Sequence, residues 1–440
     1  MGQEEASRPL DDIKKEMQQA LAAKDFPRLG RLVEEAALLK DPAAYRAIIT
    51  FACRGDDRDL ELQAYNALSG AGPAGIETIC QEAAKNPNFK TRVILQGVCY
   101  QLRQDPRAFE VLVSGLKDPS RVVALTAIRW LRDSKDVRGV AALIDALALN
   151  ERLRGGRMVH DINNALRQIT GADLKVSVDW RNYWDSRKGL PADKIQQKSK
   201  SGKTGSGTRV APPVTFFNIP LESDRILFII DTSGSMEKRD PVLPDPKDDS
   251  KKKAVPTGKT AVPKREKTER KKGEPGSEKE KEEEEPPEER QRILRVKEEL
   301  IRAIRALPEN ILFTIESFDN EIAFLNDPPA LIPATPENKK KAEYWVKAMR
   351  PKGETWTDTA FERGLGRVRD VDTVILLSDG QPYRNGKRLL QDAVRKEIKS
   401  LNRFIKARIN TVGFLQEGDN LRQFLSDLAK DHDGIFVQLR

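Results

Sequence analysis

The chain has 440 residues, of which 38% are hydrophobic and 33% charged, with a formal net charge of +9. That length holds two or three domains, each with its own core. Its two histidines, His160 and His432, exclude histidine-rich metal catalysis, and the modest positive balance favours acidic partners without identifying nucleic acid.

In chain order, the opening MGQEEASRPLDDIKKEM has no apolar run of the signal-peptide kind. Gly2 invites myristoylation, but Ala6 stands where Ser or Thr is preferred. No segment approaches about 18 apolar residues, so no membrane span is expected. Cys53, Cys80 and Cys99 lie in apolar helical context without CxxC spacing and read as buried reduced thiols. A cytoplasmic location is the expectation.

Residues 1 to about 170 show apolar positions recurring at three and four, as in PAAYRAIITFACRG and KTRVILQGVCYQL. Asp-Pro, Asn-Pro and Gly-rich steps separate them, and Asp-Pro is a natural helix opening. Helix pairs of roughly 30 to 40 residues indicate an all-α solenoid of the HEAT or armadillo kind over 1–190. Trp180, Tyr183 and Trp184 are expected to close it as an aromatic cap, and the ALRQITG and WRNYW stretches resemble the end of HEAT-type modules in bacterial proteins. The polar, Gly-, Ser- and Lys-rich stretch 191–212 reads as a flexible linker. Its GKTGSG lacks the spacing of a P-loop.

From 213 to 440 the pattern alternates. Apolar runs at 225–231, 311–319, 371–380, 409–414 and 434–439 predict strands, with a further one at 214–219. Amphipathic stretches at 292–308, 340–349, 358–368, 387–407 and 421–432 predict helices. This order implies an α/β, Rossmann-like domain with a mainly parallel central sheet covered on both faces. Within it, 240–287 is proline-rich and highly charged, almost without large apolar residues, and reads as a disordered insertion.

The motif that carries chemistry is DTSGSM at 231–236. Asp231 ends a predicted strand, and Ser233 and Ser235 follow at alternate positions with Gly234 between them. One carboxylate and two hydroxyls aimed at one point suit a hard cation such as magnesium. Ligands of open parallel sheets sit beyond the carboxyl ends of the strands, where Asp379 is also predicted, and Thr355 of GETWTDTA reaches the same place from a loop. This set resembles the von Willebrand factor A (vWA) family and its metal-ion-dependent adhesion site, with the match at Asp231, Ser233, Ser235, Thr355 and Asp379. The LLSDGQP context of Asp379 shares the resemblance, which covers about 214–440. It implies a bound Mg2+ or Mn2+ and a protein partner that completes the metal shell with an acidic group. Lys352, Gly353 and Glu354 precede the threonine where the family often has a double glycine. Asp319 is a further acid at a predicted strand end, placed to support the metal or to cap the next turn. Trp356 either lines the partner surface or folds onto the core.

No nucleophile elbow, kinase set or Walker motif is present, and a hydrolytic site would need a positioned base besides the cation. The expectation is a non-enzymatic, bacterial-type adaptor that binds protein through a cation and a helical-repeat surface. One alternative is RNA binding, since helical repeats joined to an A domain resemble the Ro ribonucleoprotein family. That family's repeat sequence is not identifiable here, and the helical region is short for a closed ring. Another is a non-ATPase subunit that partners an AAA-type ATPase in metal insertion or remodelling.

Overall fold

A computed structural model describes residues 8–153, 155–195, 214–240, 288–414 and 419–439. Beyond Ile195 and Asp240, the linker read at 191–212 and the insertion read at 240–287 fall outside the described residues. Within these residues the N-terminal region is helical and the C-terminal region carries a mostly parallel sheet.

The helical half runs through α1 (Leu10–Ala22), α2 (Phe26–Leu38), α3 (Pro42–Ala52), α4 (Arg58–Ser69), α5 (Pro73–Lys85), α6 (Phe89–Gln101), α7 (Pro106–Gly115), α8 (Arg121–Ser134), α9 (Val140–Arg152), α10 (Gly156–Thr170) and α11 (Ser177–Asp185). The Asp-Pro steps act as the sequence suggests. Asp41 accepts hydrogen bonds from the Ala43 and Ala44 amides at 2.7 and 3.3 Å, and Asp105 accepts from Arg107 N at 2.9 Å. Each carboxylate thus answers orphan N–H groups of the first turn. The 118–119 step differs. Asp118 accepts from Ser120 N at 2.7 Å and grips Arg92 through two 2.8 Å bonds, and α8 starts only at Arg121.

The helices stack in two rows, with α2 on α4, α3 on α5, α4 on α6, α5 on α7, α6 on α8 and α8 on α10. Their apolar faces merge into one continuous core that takes in all three cysteines, which are free and buried. Trp180 is fully buried at the end of the stack, where its indole N–H donates to Asn163 Oδ1 at 2.7 Å. A short helix, α12 (Ala192–Ile195), follows, and the Tyr183 hydroxyl donates to Ile195 O at 3.1 Å.

The second half opens with β1 (Thr215–Phe216) and β2 (Ile219–Pro220), an antiparallel pair of its own. The strand expected at 214–219 is therefore a separate hairpin, because Phe217 and Asn218 turn the chain with φ of 45° and 63°. Next come β3 (Arg225–Asp231), α13 (Arg292–Ala306), β4 (Leu312–Phe318), β5 (Ile322–Phe324), β6 (Ile332–Pro333), α14 (Pro336–Ala348), α15 (Thr357–Arg367), β7 (Thr373–Ser378), β8 (Tyr383–Arg384), β9 (Lys387–Arg388), α16 (Gln391–Leu401), β10 (Arg408–Phe414), α17 (Asp419–Asp431) and β11 (Phe436–Leu439). The main sheet has the order β11-β10-β7-β3-β4-β5, with β6 also on β4. Its first five strands are parallel, and β5 and β6 are antiparallel to β4.

Side chains of β3 alternate between two cores, as a period of two requires. Ile226, Phe228 and Ile230 meet α13 and α14, and Leu227 and Ile229 meet α15, α16 and α17. Both faces are covered, so the strand reads as an unbroken apolar run. The helix expected at 387–407 starts later, at Gln391. Asn385 and Gly386 have φ of 52° and 74° and turn β8 into β9, the hairpin that an Asn-Gly pair favours.

The helical half docks on the amino-terminal edge of the sheet. Arg121 grips Asp372, just before β7, through bonds of 2.8 and 2.6 Å. Arg157 donates to Asp372 O at 2.5 Å, and Gly156 N donates to Asp224 Oδ1, just before β3, at 2.7 Å. Arg408 at the start of β10 pairs with Asp161, and Arg403 lies 2.9 Å from Glu61. Phe404 packs edge-on against Phe89 at 6.5 Å. Burial raises the Asp372 carboxyl above its ordinary range despite Arg121 and Arg157.

Candidate metal centre

Asp231 closes β3 and Asp379 follows β7, so the two neighbouring parallel strands deliver both carboxylates to the same carboxyl edge. Both residues are fully buried. Asp231 accepts from Ser233 N at 2.8 Å and from the Ser378 hydroxyl at 2.5 Å. Ser233 Oγ lies 3.1 Å from Ser235 Oγ, which donates to Asp379 Oδ1 at 2.6 Å. These bonds join four of the five residues read from the sequence into one hydrogen-bonded chain.

Thr355 arrives from the loop before α15 and is buried beside them. The two loops are laced together, Gly234 N donating to Gly353 O at 3.1 Å and Lys352 N to Thr232 O at 2.8 Å. Gly353 has φ of +67°, and a Cβ there would strike the Asn320 side chain. A Cβ on Gly380 would lie 2.6 Å from the Thr355 hydroxyl, so glycine lets the threonine approach the Asp379 loop. All five residues therefore converge.

Burial, then the neighbouring Asp379 charge, push the Asp231 carboxyl up to about 7, against the hydrogen bonds from Ser233 and Ser378. Two carboxylates and three hydroxyls form the oxygen-only donor set that a hard divalent cation prefers, and its charge would relieve the carboxylate repulsion. Among the described residues no group of three or more His, Cys, Asp or Glu is arranged for a metal, so the donor number here depends on the hydroxyls.

The sequence did not single out Arg292. At the start of α13 it donates to Asp379 Oδ2 at 2.6 Å and to Asp240 Oδ1 at 2.8 Å, and Arg295 also pairs with Asp240. Burial works against the Arg292 charge, but Asp240 and Asp379 outweigh it and hold its pKa above the ordinary value. Asp240 N donates to Arg290 O at 3.1 Å and Arg292 N to Lys238 O at 3.0 Å, so the chain leaves and re-enters the fold through a closed neck beside the carboxylates. The spacing carried no signal for this, because residues 52 apart meet only through that neck. Ser378 was within reach of sequence reasoning, since it directly precedes Asp379 in LLSDG.

Asp319 caps the next turn, one of the two placements the sequence allowed. It accepts from Glu321 N at 2.9 Å and from the Thr232 hydroxyl at 3.3 Å, next to Ser233. Glu354 turns away from the carboxylates and accepts from Asn385 N, Gly386 N and Trp356 Nε1 at 2.8, 2.9 and 2.8 Å. Trp356 is half-buried and lines a hollow with Phe324 and Arg363.

No family model matches the chain, and no curated protein matches it. Among solved structures, it is similar to a von Willebrand factor type A protein from Catenulispora acidiphila, at 16% identity and a TM-score of 0.33. That match covers 50% of this chain and 40% of the other. It is also similar to proximal thread matrix protein 1 from the mussel byssus, at 15% identity and a TM-score of 0.29, covering 48% of this chain and 40% of that one. In both cases the chain spans well under half the length of the protein it matches.

Proposed function

We propose that this chain is a non-enzymatic, divalent-cation-dependent protein-binding module of the vWA type, joined to a HEAT-like helical layer. The observation that carries the reading is the convergence of Asp231, Ser233, Ser235, Thr355 and Asp379 at one edge of a parallel sheet. These five residues would hold Mg2+ or Mn2+. When bound, the cation supplies an open coordination position and a concentrated positive charge for a partner's carboxylate. The chain's own residues keep the carboxylates dry and aligned. Ser378 orients Asp231, and the bonds between the Thr232–Gly234 and Lys352–Gly353 backbones hold the threonine loop against the serine loop.

Among the described residues the helical layer docks at the opposite edge of the sheet from the carboxylates. This supports a contact with another molecule over one with the chain's own repeats. The test is calorimetric titration of the full chain with MgCl2 and MnCl2, followed by capture of proteins from cell extract with magnesium or with chelator. The expected result is saturable cation binding and a captured set lost both in chelator and in Asp231→Ala. Absence of cation binding by the folded wild type would overturn the reading.

A further inference from the structure

A cavity of about 200 Å³ lies in the seam between the two halves, lined from α8 and α10 on one side and from the α16–β10 and α17–β11 connections on the other. Seven Lys and Arg side chains and three aspartates line it. The aspartates are already engaged. Asp161 pairs with Arg157 at 3.2 Å and with Arg408, Asp431 with Arg395 at 2.8 Å, and Asp433 with Arg132 at 3.2 Å. Arg129 and Arg132 also reach Asp133 and Arg403 reaches Glu61, so Arg58, Lys399 and Lys406 are the lining cations without an ion pair among the described residues.

Three donors on this lining stand without an acceptor among the described residues. Lys406 has no ion-pair partner there, and burial, then the Arg129 and Arg403 charges with it, bring its ammonium down to about 8. Arg403 reaches Glu61 and Gly55 O with its terminal nitrogens, but its Nε–H is buried and unpartnered. The third donor is His432. Asn402 Oδ1 accepts from Ala407 N and its Nδ2 donates to Ala407 O, both at 2.7 Å, which fixes the amide. Nδ2 therefore also donates to His432 Nδ1, at 2.9 Å, and the ring proton sits on Nε2. That Nε2–H is buried and has no partner. Burial holds the imidazole pKa near 4, so the ring is a neutral donor at physiological pH.

A buried donor left without an acceptor is costly. Two such donors, the Arg403 Nε–H and the His432 Nε2–H, together with the half-buried Lys406 ammonium, border one hollow of net positive lining. We propose that the seam cavity binds a small phosphate-bearing anion, held by Lys406, Arg403 and His432 from the sheet half and by Arg129 and Arg132 from the helical half. The volume admits a phosphate group with a small organic remainder and excludes a polymer strand from the interior. Because the lining comes from both halves, the bound anion clamps the helical layer to the amino edge of the sheet. This site is distinct from the carboxylate cluster, which lies at the other end of the strands.

The test uses the full chain in EDTA, so that no cation at the carboxyl edge carries the anion. Inorganic phosphate and pyrophosphate are titrated against chloride at matched ionic strength, with binding read by calorimetry and by melting temperature. Wild type is expected to bind both anions in the millimolar range or tighter and to melt higher in their presence. Lys406→Met removes the charge while keeping the stem, and is expected to weaken binding at least about tenfold. Lys399→Ala, an exposed substitution on the rim that leaves the core untouched, is expected to weaken it about threefold. No response of wild type beyond the chloride control would overturn the proposal. So would a Lys406→Met protein that binds like wild type or, should that variant not fold, an unchanged affinity in Lys399→Ala.

Discussion

The two edges of the central sheet treat buried charge in opposite ways. At the amino edge, acids and arginines come from different halves of the chain and meet across the seam, as in Arg121 with Asp372 and Arg408 with Asp161. At the carboxyl edge, Asp231, Asp379, Asp319 and Asp240 are all buried, and arginines meet only two of them, Arg292 pairing with Asp240 and Asp379 and Arg295 with Asp240. The first arrangement is spent on joining two bodies. The second sets Asp231 near enough to Asp379 that the Asp379 charge raises its pKa, which a stability argument alone does not explain, since like charges held close cost energy. An edge that only held the fold together would resemble the first.

Breaking a seam pair should give the largest effect. Arg121→Ala leaves the buried Asp372 short of its main partner and should lower unfolding free energy by about 3 kcal/mol, read by urea denaturation. Cation affinity should stay at the wild-type value, and a large change in it would show that the two edges are not independent. At the other edge, saturating Mg2+ at about a hundred times its dissociation constant should stabilise wild type by about 2.7 kcal/mol. Asp231→Ala should show no such gain in the same thermal melts.

Glu316 tests the middle of the sheet, between the edges. It is fully buried on β4, both its oxygens lack partners among the described residues, and burial raises its pKa well above the ordinary value. A carboxyl raised in the folded state contributes stability below the ordinary glutamate range and loses it as pH rises through the folded pKa. Wild type should therefore lose stability relative to Glu316→Gln as pH rises from acid to alkaline, by about 2 kcal/mol, measured by chemical denaturation across that range.

Arg292→Met refines the carboxyl edge further. Its guanidinium donates to Asp379 Oδ2 and would compete with a cation for that oxygen. Cation affinity should rise about tenfold, while the cation-free protein becomes less stable. The smallest effect belongs to Glu354→Gln, which weakens the grip on the Asn385–Gly386 turn. Amide exchange there should quicken with no change in global unfolding.

What the sequence made legible follows from how local each cause is. Asp41 and Asp105 cap helices within three residues of themselves, so Asp-Pro reads correctly as an opening. The runs that became β3 and β7 were plain because both faces of the sheet are covered. The oxygen set could be assembled because strand ends in a parallel sheet share one edge. The amino-edge seam was not legible, since Arg121 and Asp372 lie 251 residues apart and neither belongs to a motif. The β8–β9 hairpin was missed although its Asn-Gly turn is a short-range signal, because the apolar spacing of the helix that follows drew its start forward to Lys387.

The parallel ladder between the two edges also has a mechanical consequence. β3 runs seven residues, so about 20 Å of strand separates the seam from the carboxylate cluster. A body pulling on the carboxyl edge while another holds the helical layer would load β3 along its length. Its hydrogen bonds to β4 and β7 on either side would then bear the force in shear, all at once, instead of opening one after another like a zipper. The strand that supplies Asp231 is thus placed as the tension-bearing member between whatever is held at one end of the molecule and whatever is held at the other.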